Sequence, residues 1–193
     1  MELIVVKRTS PQLLEEMKRH YSQPKGFVGR NICYAVYHDG HCYGHIVGGS
    51  ATRFLPGRDD MLGIEAKTIL NQIVNNIFFH VEPKDGKYPI RNFTTRVIEL
   101  FEKTIVKDWE DKYGDKVLAF ETLIELPRSG ECYRRAGWVK AGQTKGYTCK
   151  RIAGKGTDNW SGKRVWDTEN LRPKTVFIKK VVNYDCKNET ISM

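Results

Sequence analysis

Glu131-Cys-Tyr-Arg-Arg-Ala-Gly-Trp-Val-Lys-Ala-Gly-Gln-Thr-Lys-Gly146 is the stretch whose reading decides the fold. Ser129 precedes it as a helix cap, Cys132, Tyr133 and Ala136 make one side of a short helix, and Gly137 stops that helix. Trp138 to Ala141 and Lys145 to Lys150 then read as strands. Charge concentrates here as well. From Arg128 to Arg151 seven bases (Arg128, Arg134, Arg135, Lys140, Lys145, Lys150 and Arg151) stand against one acid, Glu131, in a chain of net charge +9. Tyr133, Trp138 and Tyr147 are interleaved with those bases. Cations that neutralise phosphates, beside rings that stack on bases, are the composition of a nucleic-acid groove.

Upstream, Val117 to Leu126 reads as a strand. Asn92 caps a long helix in which Val97, Phe101 and Ile105 recur every four residues, and Gly114 closes it. Ile73 to Val81 is a central strand bounded by Pro83. Ile32 to Tyr37 and Cys42 to Gly48 flank Asp39-Gly40, a hairpin turn signal. Ser10-Pro11 starts a helix that runs to about His20, after a first strand over Glu2 to Val6. Downstream, 151–172 is polar and predicted to be loop, and 173–183 holds a C-terminal strand. Thr52 to Asp60 reads as irregular. The order predicts an α/β fold with a mixed sheet, in a single domain over 1–193.

Length and composition set limits. A chain of 193 residues with 40% hydrophobic content buries one sizeable core. Its apolar runs are far shorter than the roughly 20 residues of a bilayer span. The charged first twenty residues do not read as a secretory signal, which predicts a cytoplasmic protein. Five cysteines without a CxxC spacing indicate neither a disulfide framework nor a zinc ribbon.

The element order is that of the GNAT acyltransferase fold, and Glu131 to Gly146 resembles the GNAT helix-turn-strand, in which a tyrosine follows a small loop and an aromatic follows glycine. A GNAT-type enzyme that holds coenzyme A takes the pyrophosphate on a glycine-rich loop opening its long helix. Here that junction is Tyr88-Pro-Ile-Arg-Asn-Phe-Thr-Thr-Arg96, without glycine. The departure argues against ordinary acetyl-CoA chemistry and makes Arg96, with Arg91 beside it, the candidate for a phosphate. A narrower resemblance spans most of 15–182. His20-Tyr-Ser22, Asn92 to Leu100, Tyr133 to Gly146 and Arg172-Pro-Lys-Thr-Val-Phe-Ile-Lys-Lys180 are similar to the phage Mom DNA-modification proteins. Gly29-Arg-Asn31, Val74-Asn-Asn76, Asp108 to Gly114 and Phe120-Glu-Thr122 look like the DruA-type proteins of an anti-phage defence system.

The Mom resemblance implies an enzyme that converts adenine in double-stranded DNA to a carbamoylmethyl derivative at its exocyclic amine, protecting phage DNA from restriction. The donor of the two-carbon group stays open. The resemblance also implies catalytic roles for His20, Tyr21, Glu121 and Tyr133, and bound iron held by His20, Tyr21, Tyr133 and one of Glu121 or Glu125. Strand alternation puts Glu121 and Glu125 on one face, with Glu121 deeper. Arg128, Arg134, Arg135, Lys145 and Lys150 would hold phosphates while Tyr133 or Trp138 stacks on an extruded base. Of Asn75 and Asn76, one lines the cleft and the other caps a bulge or pairs with backbone. His45 and His80 read as strand-packing residues. Two other classes fit the same chain: a non-catalytic DNA-binding component of a defence system, and a conventional N-acetyltransferase.

Overall fold

The computed structural model describes residues 1–22, 24–152, 163–167 and 169–181. In chain order the elements are β1 (Glu2–Val6), α1 (Pro11–Arg19), β2 (Asn31–His38), β3 (His41–Ser50), α2 (Arg58–Leu62), β4 (Ile73–Val81), α3 (Phe93–Tyr113), β5 (Ala119–Glu125), α4 (Glu131–Arg135), β6 (Val139–Gln143), β7 (Thr148–Ile152), β8 (Lys163–Asp167) and β9 (Lys174–Lys180). Seven strands form one mixed sheet in the order β1-β2-β3-β4-β5-β9-β6, and β7 pairs with β8 apart from it. The strand β8 lies inside the segment expected to be loop, while 153–162, 168 and the chain after 181 lie outside the described residues.

Alternation along each strand sends side chains to two different packings. Ile32, Tyr34 and Val36 of β2, Val74 of β4 and Phe120 of β5 meet Val97, Ile98, Phe101, Ile105 and Trp109 of α3. Burying five such side chains contributes on the order of 10 kcal/mol of transfer free energy. Gly48 of β3 lets α3 approach: a Cβ there would stand 2.1 Å from Ile105 Cδ1. On the opposite face Cys33, Val47 and Phe78 pack under Leu13 and Met17 of α1, and Ile73, Ala119, Val176 and Ile178 pack under Leu55 and Leu62.

The expected caps differ in detail. Ser10 makes no side-chain cap hydrogen bond, and Gly130 rather than Ser129 occupies the N-cap of α4. Asn92 does stand at the N-cap of α3, in the left-handed conformation at φ 56°, but its side chain caps nothing. Instead its Oδ1 accepts from Arg135 at 3.3 Å.

What positions the site is a break in the sheet. The parallel strands β4 and β5 pair only through Ile73 with Ala119, Val74 with Phe120 and Asn75 with Glu121. Beyond these couples both strands continue, unpaired with each other. A bulge causes the divergence. The register of β4 against β3 slips, with Gly48 opposite Asn76 and Val47 opposite Phe78, so Ile77 is the extra residue. Asn76 satisfies the groups around the bulge: its Nδ2 donates to the carbonyls of Val47 and Phe78 at 3.0 Å each, its carbonyl accepts from Thr122 Oγ1 at 2.9 Å, and its Oδ1 accepts from the Tyr133 hydroxyl.

Candidate active site

The opening between β4 and β5 is a cleft of about 770 Å3. Because it passes through the sheet, residues from both faces reach it: His20, Tyr21 and His80 from the α1 side, and Tyr133 and Thr94 from the α3 side. The loop after β5 brings Arg128 across. Its guanidinium carbon lies 3.5 Å from the ring centroid of Tyr21, a cation–π contact at the cleft wall.

His20 follows the end of α1, where the chain leaves the helix in an extended conformation. Its ring sits among Tyr21, Phe78 and His80, with centroids 4.1, 4.7 and 5.8 Å away. Burial is the main reason its pKa falls from 6.5 to about 4; the nearby His80 lowers it further. The imidazole is therefore neutral at pH 7. Ser22 N–H donates to Nδ1 at 3.3 Å, with Ser22 Oγ 2.8 Å from the same atom, and the Phe79 backbone is a further partner of the ring. With its lone pair engaged, His20 clamps the end of α1 to β4 and is not poised as a base.

His80 is the better-placed base. It lies on β4 inside the cleft, and its Nε2 is 2.9 Å from Glu82 Oε1. Glu82 in turn is paired with Arg19 at 3.2 Å. A carboxylate accepting from Nε2–H fixes the tautomer and leaves the lone pair on Nδ1. Reading His80 as strand packing missed this, although the spacing of His80 and Glu82 on one side of an extended strand was available in the sequence.

The proposed iron set does not assemble. Tyr21 and Tyr133 share the cleft with His20, but Glu121 does not line it: it lies at the paired end of β5 and is fully enclosed under the loop before α2. There its Oε2 accepts from Arg58 Nη1 at 2.8 Å and its Oε1 from the Thr52 N–H at 2.5 Å. Burial raises the Glu121 carboxyl even with Arg58 beside it. Glu125 sits at the outer end of β5 in an ion pair with Arg172 at 2.6 Å. Burial also holds Tyr133 well above the usual phenol pKa, so it is a protonated donor to Asn76 and not a tyrosinate. Tyr21 is likewise raised by burial, opposed by Arg128. Among the described residues no three His, Cys, Asp or Glu side chains converge as metal ligands.

The expected DNA contacts divide. Arg128 and Lys145 are exposed and line cavities. Arg134 and Arg135 are exposed on α4 but both are ion-paired with Glu131. Trp138 cannot stack on a base: it is 2% exposed, packs against Phe120 and Tyr133, and donates its Nε1–H to Glu102. Tyr133 is equally a core residue. Arg96 is exposed on the first turn of α3, while Thr94 is the residue of that turn that reaches the cleft. The side chain of Lys150 lies outside the described residues. Asn76 both lines the cleft and caps the bulge, and Asn75 turns to Thr52, its Nδ2 3.1 Å from Oγ1. Arg58, 1% exposed, was missed by sequence reasoning; an acid buried on β5 was the signal that a cation must reach it.

No family model matches the chain, and no curated protein sequence matches it. Solved structures do. The chain is similar to a Bacillus subtilis acetyltransferase in complex with CoA, at TM-score 0.57 and 10% identity over 94% of this chain and 99% of that one. It is similar also to the aminoglycoside 6'-N-acetyltransferase of Enterococcus faecium, at TM-score 0.52 and 10% identity over 96% and 99% of the two chains. A GNAT family acetyltransferase from Elizabethkingia anophelis with acetyl-CoA bound matches at TM-score 0.52 and 8% identity over 93% and 97%. The chain has the fold of the GNAT acetyltransferases, as a single domain. Among the described residues no helix is long and apolar enough to cross a membrane.

Proposed function

We propose that the protein is a group-transfer enzyme that moves an acyl group from an activated donor to the exocyclic amine of adenine in DNA, an amide-forming transfer in place of the carbamoylmethylation that the resemblance implies. The observation that carries this reading is the opening between β4 and β5. Past Asn75 and Glu121 the facing strand edges present backbone N–H and C=O groups to a cleft rather than to each other, and an amide-bearing donor arm can pair with such edges as an added strand does.

The residues present also fit a phosphate-bearing carrier of the coenzyme A kind. Thr94 on the first turn of α3 faces the cleft, and helix N-termini attract anions. Asn92 supplies there the left-handed conformation that a glycine loop would otherwise provide. Arg91 and Arg96 are exposed beside it. Such a carrier, when bound, supplies an acyl carbon activated as a thioester. The chain's own part is to position and to move protons. Adenine's amine is uncharged at neutral pH, so a proton must leave its nitrogen as the new N–C bond forms and the donor's C–S bond breaks; His80 Nδ1, held by Glu82, would accept that proton and return it to the departing thiolate. Arg128 and the net charge of +9 favour a phosphate-bearing acceptor at the cleft mouth.

A second reading, N-acetylation of a small-molecule or protein amine, is favoured by the acetyltransferases that share the fold. Mass spectrometry of nucleosides from cells expressing the protein separates the two. A new adenosine-derived peak that disappears with His80→Gln supports DNA modification. Unmodified DNA, together with a stoichiometric acetyl-CoA complex of the purified protein, supports the second reading.

A further inference from the structure

Three cavities run into one another along one side of the molecule. The cleft shares Leu123 and Lys174 with a second cavity of about 370 Å3, and that cavity shares Thr144 and Lys145 with a third of about 470 Å3. Cations line the course, Arg128 in the cleft, Lys174 and Lys145 through the middle and Arg53 at the far end, while the acids on the same walls, Glu131, Glu125 and Asp59, are each paired with an arginine. None of these four cations is in an ion pair among the described residues. Two rings stand exposed beside them, Tyr147 at 47% and Phe54 at 78%.

Phe54 is not a loose tip. Arg58, buried under its loop, donates to the carbonyls of Thr52 and Arg53, the second at 3.1 Å, and ties both to Glu121. On the other side Gly57 has φ 71° and presses on β6 so closely that a Cβ would lie 2.0 Å from the Ala141 carbonyl oxygen. The loop is fastened at both ends to the sheet and presents its largest apolar ring to solvent, with the Arg53 guanidinium 5.4 Å from that ring.

From this we infer that the groove is the track of a single polynucleotide strand, with phosphates on Arg53, Lys145 and Lys174 and a base stacked on Phe54. The inference rests on the reading of the cleft as acting on a nucleobase. Exposed rings and unpaired cations along one groove match a strand that carries both bases and phosphates. An acidic peptide would use the cations and leave the rings without a partner.

The test is fluorescence anisotropy with a labelled single-stranded DNA of about 20 nucleotides, longer than the roughly 4–16 nucleotides such a groove covers. Phe54→Ala should weaken binding about tenfold without changing the salt slope, because a stacked base is lost and no charge is. Lys145→Gln should weaken binding and lower the slope by about one. Lys116→Gln, an exposed cation outside the groove, should bind as the parent protein does. Circular dichroism and thermal unfolding should show all three folded alike. Parent-like affinity in both Phe54→Ala and Lys145→Gln, in protein that still binds and modifies DNA, overturns the track and leaves the nucleobase reading standing. Absence of DNA binding by the parent protein, with unmodified cellular DNA, overturns both. Displacement of the oligonucleotide by polyglutamate, equally from parent and Phe54→Ala, overturns the track in favour of an acidic peptide.

Discussion

Tyr133 donates its hydroxyl hydrogen to Asn76 Oδ1 across the opening of the sheet, so that α4 is fastened to the bulge that drives β4 away from β5. The same amide holds two backbone carbonyls of β3 and β4. The cleft therefore has its shape because one buried side chain answers three partners at once.

Tyr133→Phe should cost about 1–3 kcal/mol, since the ring still packs but Asn76 Oδ1 is left buried without a donor. Asn76→Ala should cost more, because it strands the phenol and two carbonyls together. Urea unfolding followed by far-UV circular dichroism measures both, and an unchanged midpoint in Tyr133→Phe would remove the bond from the account.

Arg58→Ala should destabilise by about 3–5 kcal/mol, because it leaves the Glu121 carboxylate buried without its cation. Combining Arg58→Met with Glu121→Leu should restore most of that loss, as the pair is then replaced by apolar volume. A double-mutant cycle in denaturant reads the coupling, and simple additivity of the two losses would contradict the pairing.

Acid should weaken the fold through His20. Its folded pKa of about 4 lies below the 6.5 of an ordinary imidazole, so between these values the unfolded chain binds the proton more readily. Stability is then intact above about pH 6.5 and declines as the pH falls toward 4, by an amount on the order of 3 kcal/mol. In His20→Gln that slope should flatten over the same window, which a series of unfolding curves from pH 7 to 4 would reveal.

His80→Gln should lower the yield of modified nucleoside about a hundredfold or more while oligonucleotide affinity stays within a few-fold, because a proton acceptor acts in the transition state. Glu82→Gln should fall between the two, since the imidazole remains but loses its orientation. Undiminished adduct in His80→Gln would take that residue out of the site.

Much of the architecture is written locally. Ile73 to Val81 reads as a strand and is one, since β-branched and aromatic residues end at Pro83; the four-residue recurrence of Val97, Phe101 and Ile105 places the core face of α3. The site is less legible, because it depends on which way rings and carboxylates turn. Tyr133 and Trp138 stand among bases in sequence, and a five-residue helix carries too few turns for its periodicity to tell inward from outward. Alternation did place Glu121 opposite Phe120 and Thr122, but the side that opens onto the cleft was settled by a bulge at Ile77 and by Arg58, 63 positions away in the chain. The readings of iron at Glu121 and of a base over Trp138 both failed at that step.

Among the described residues, three residue couples and the Leu118 N–H donated to the Gln72 carbonyl just before them make the backbone seam between the leaf of β1 to β4 and the leaf of β5, β9 and β6. The molecule is thus narrowest in its bonding where its ligand would lie, and an occupant that pairs with both leaves acts as a staple between them. Loading the cleft should accordingly slow amide exchange in Ile77 to Val81 and in Leu123 to Glu125 together, so that two strands distant in sequence are protected as one unit.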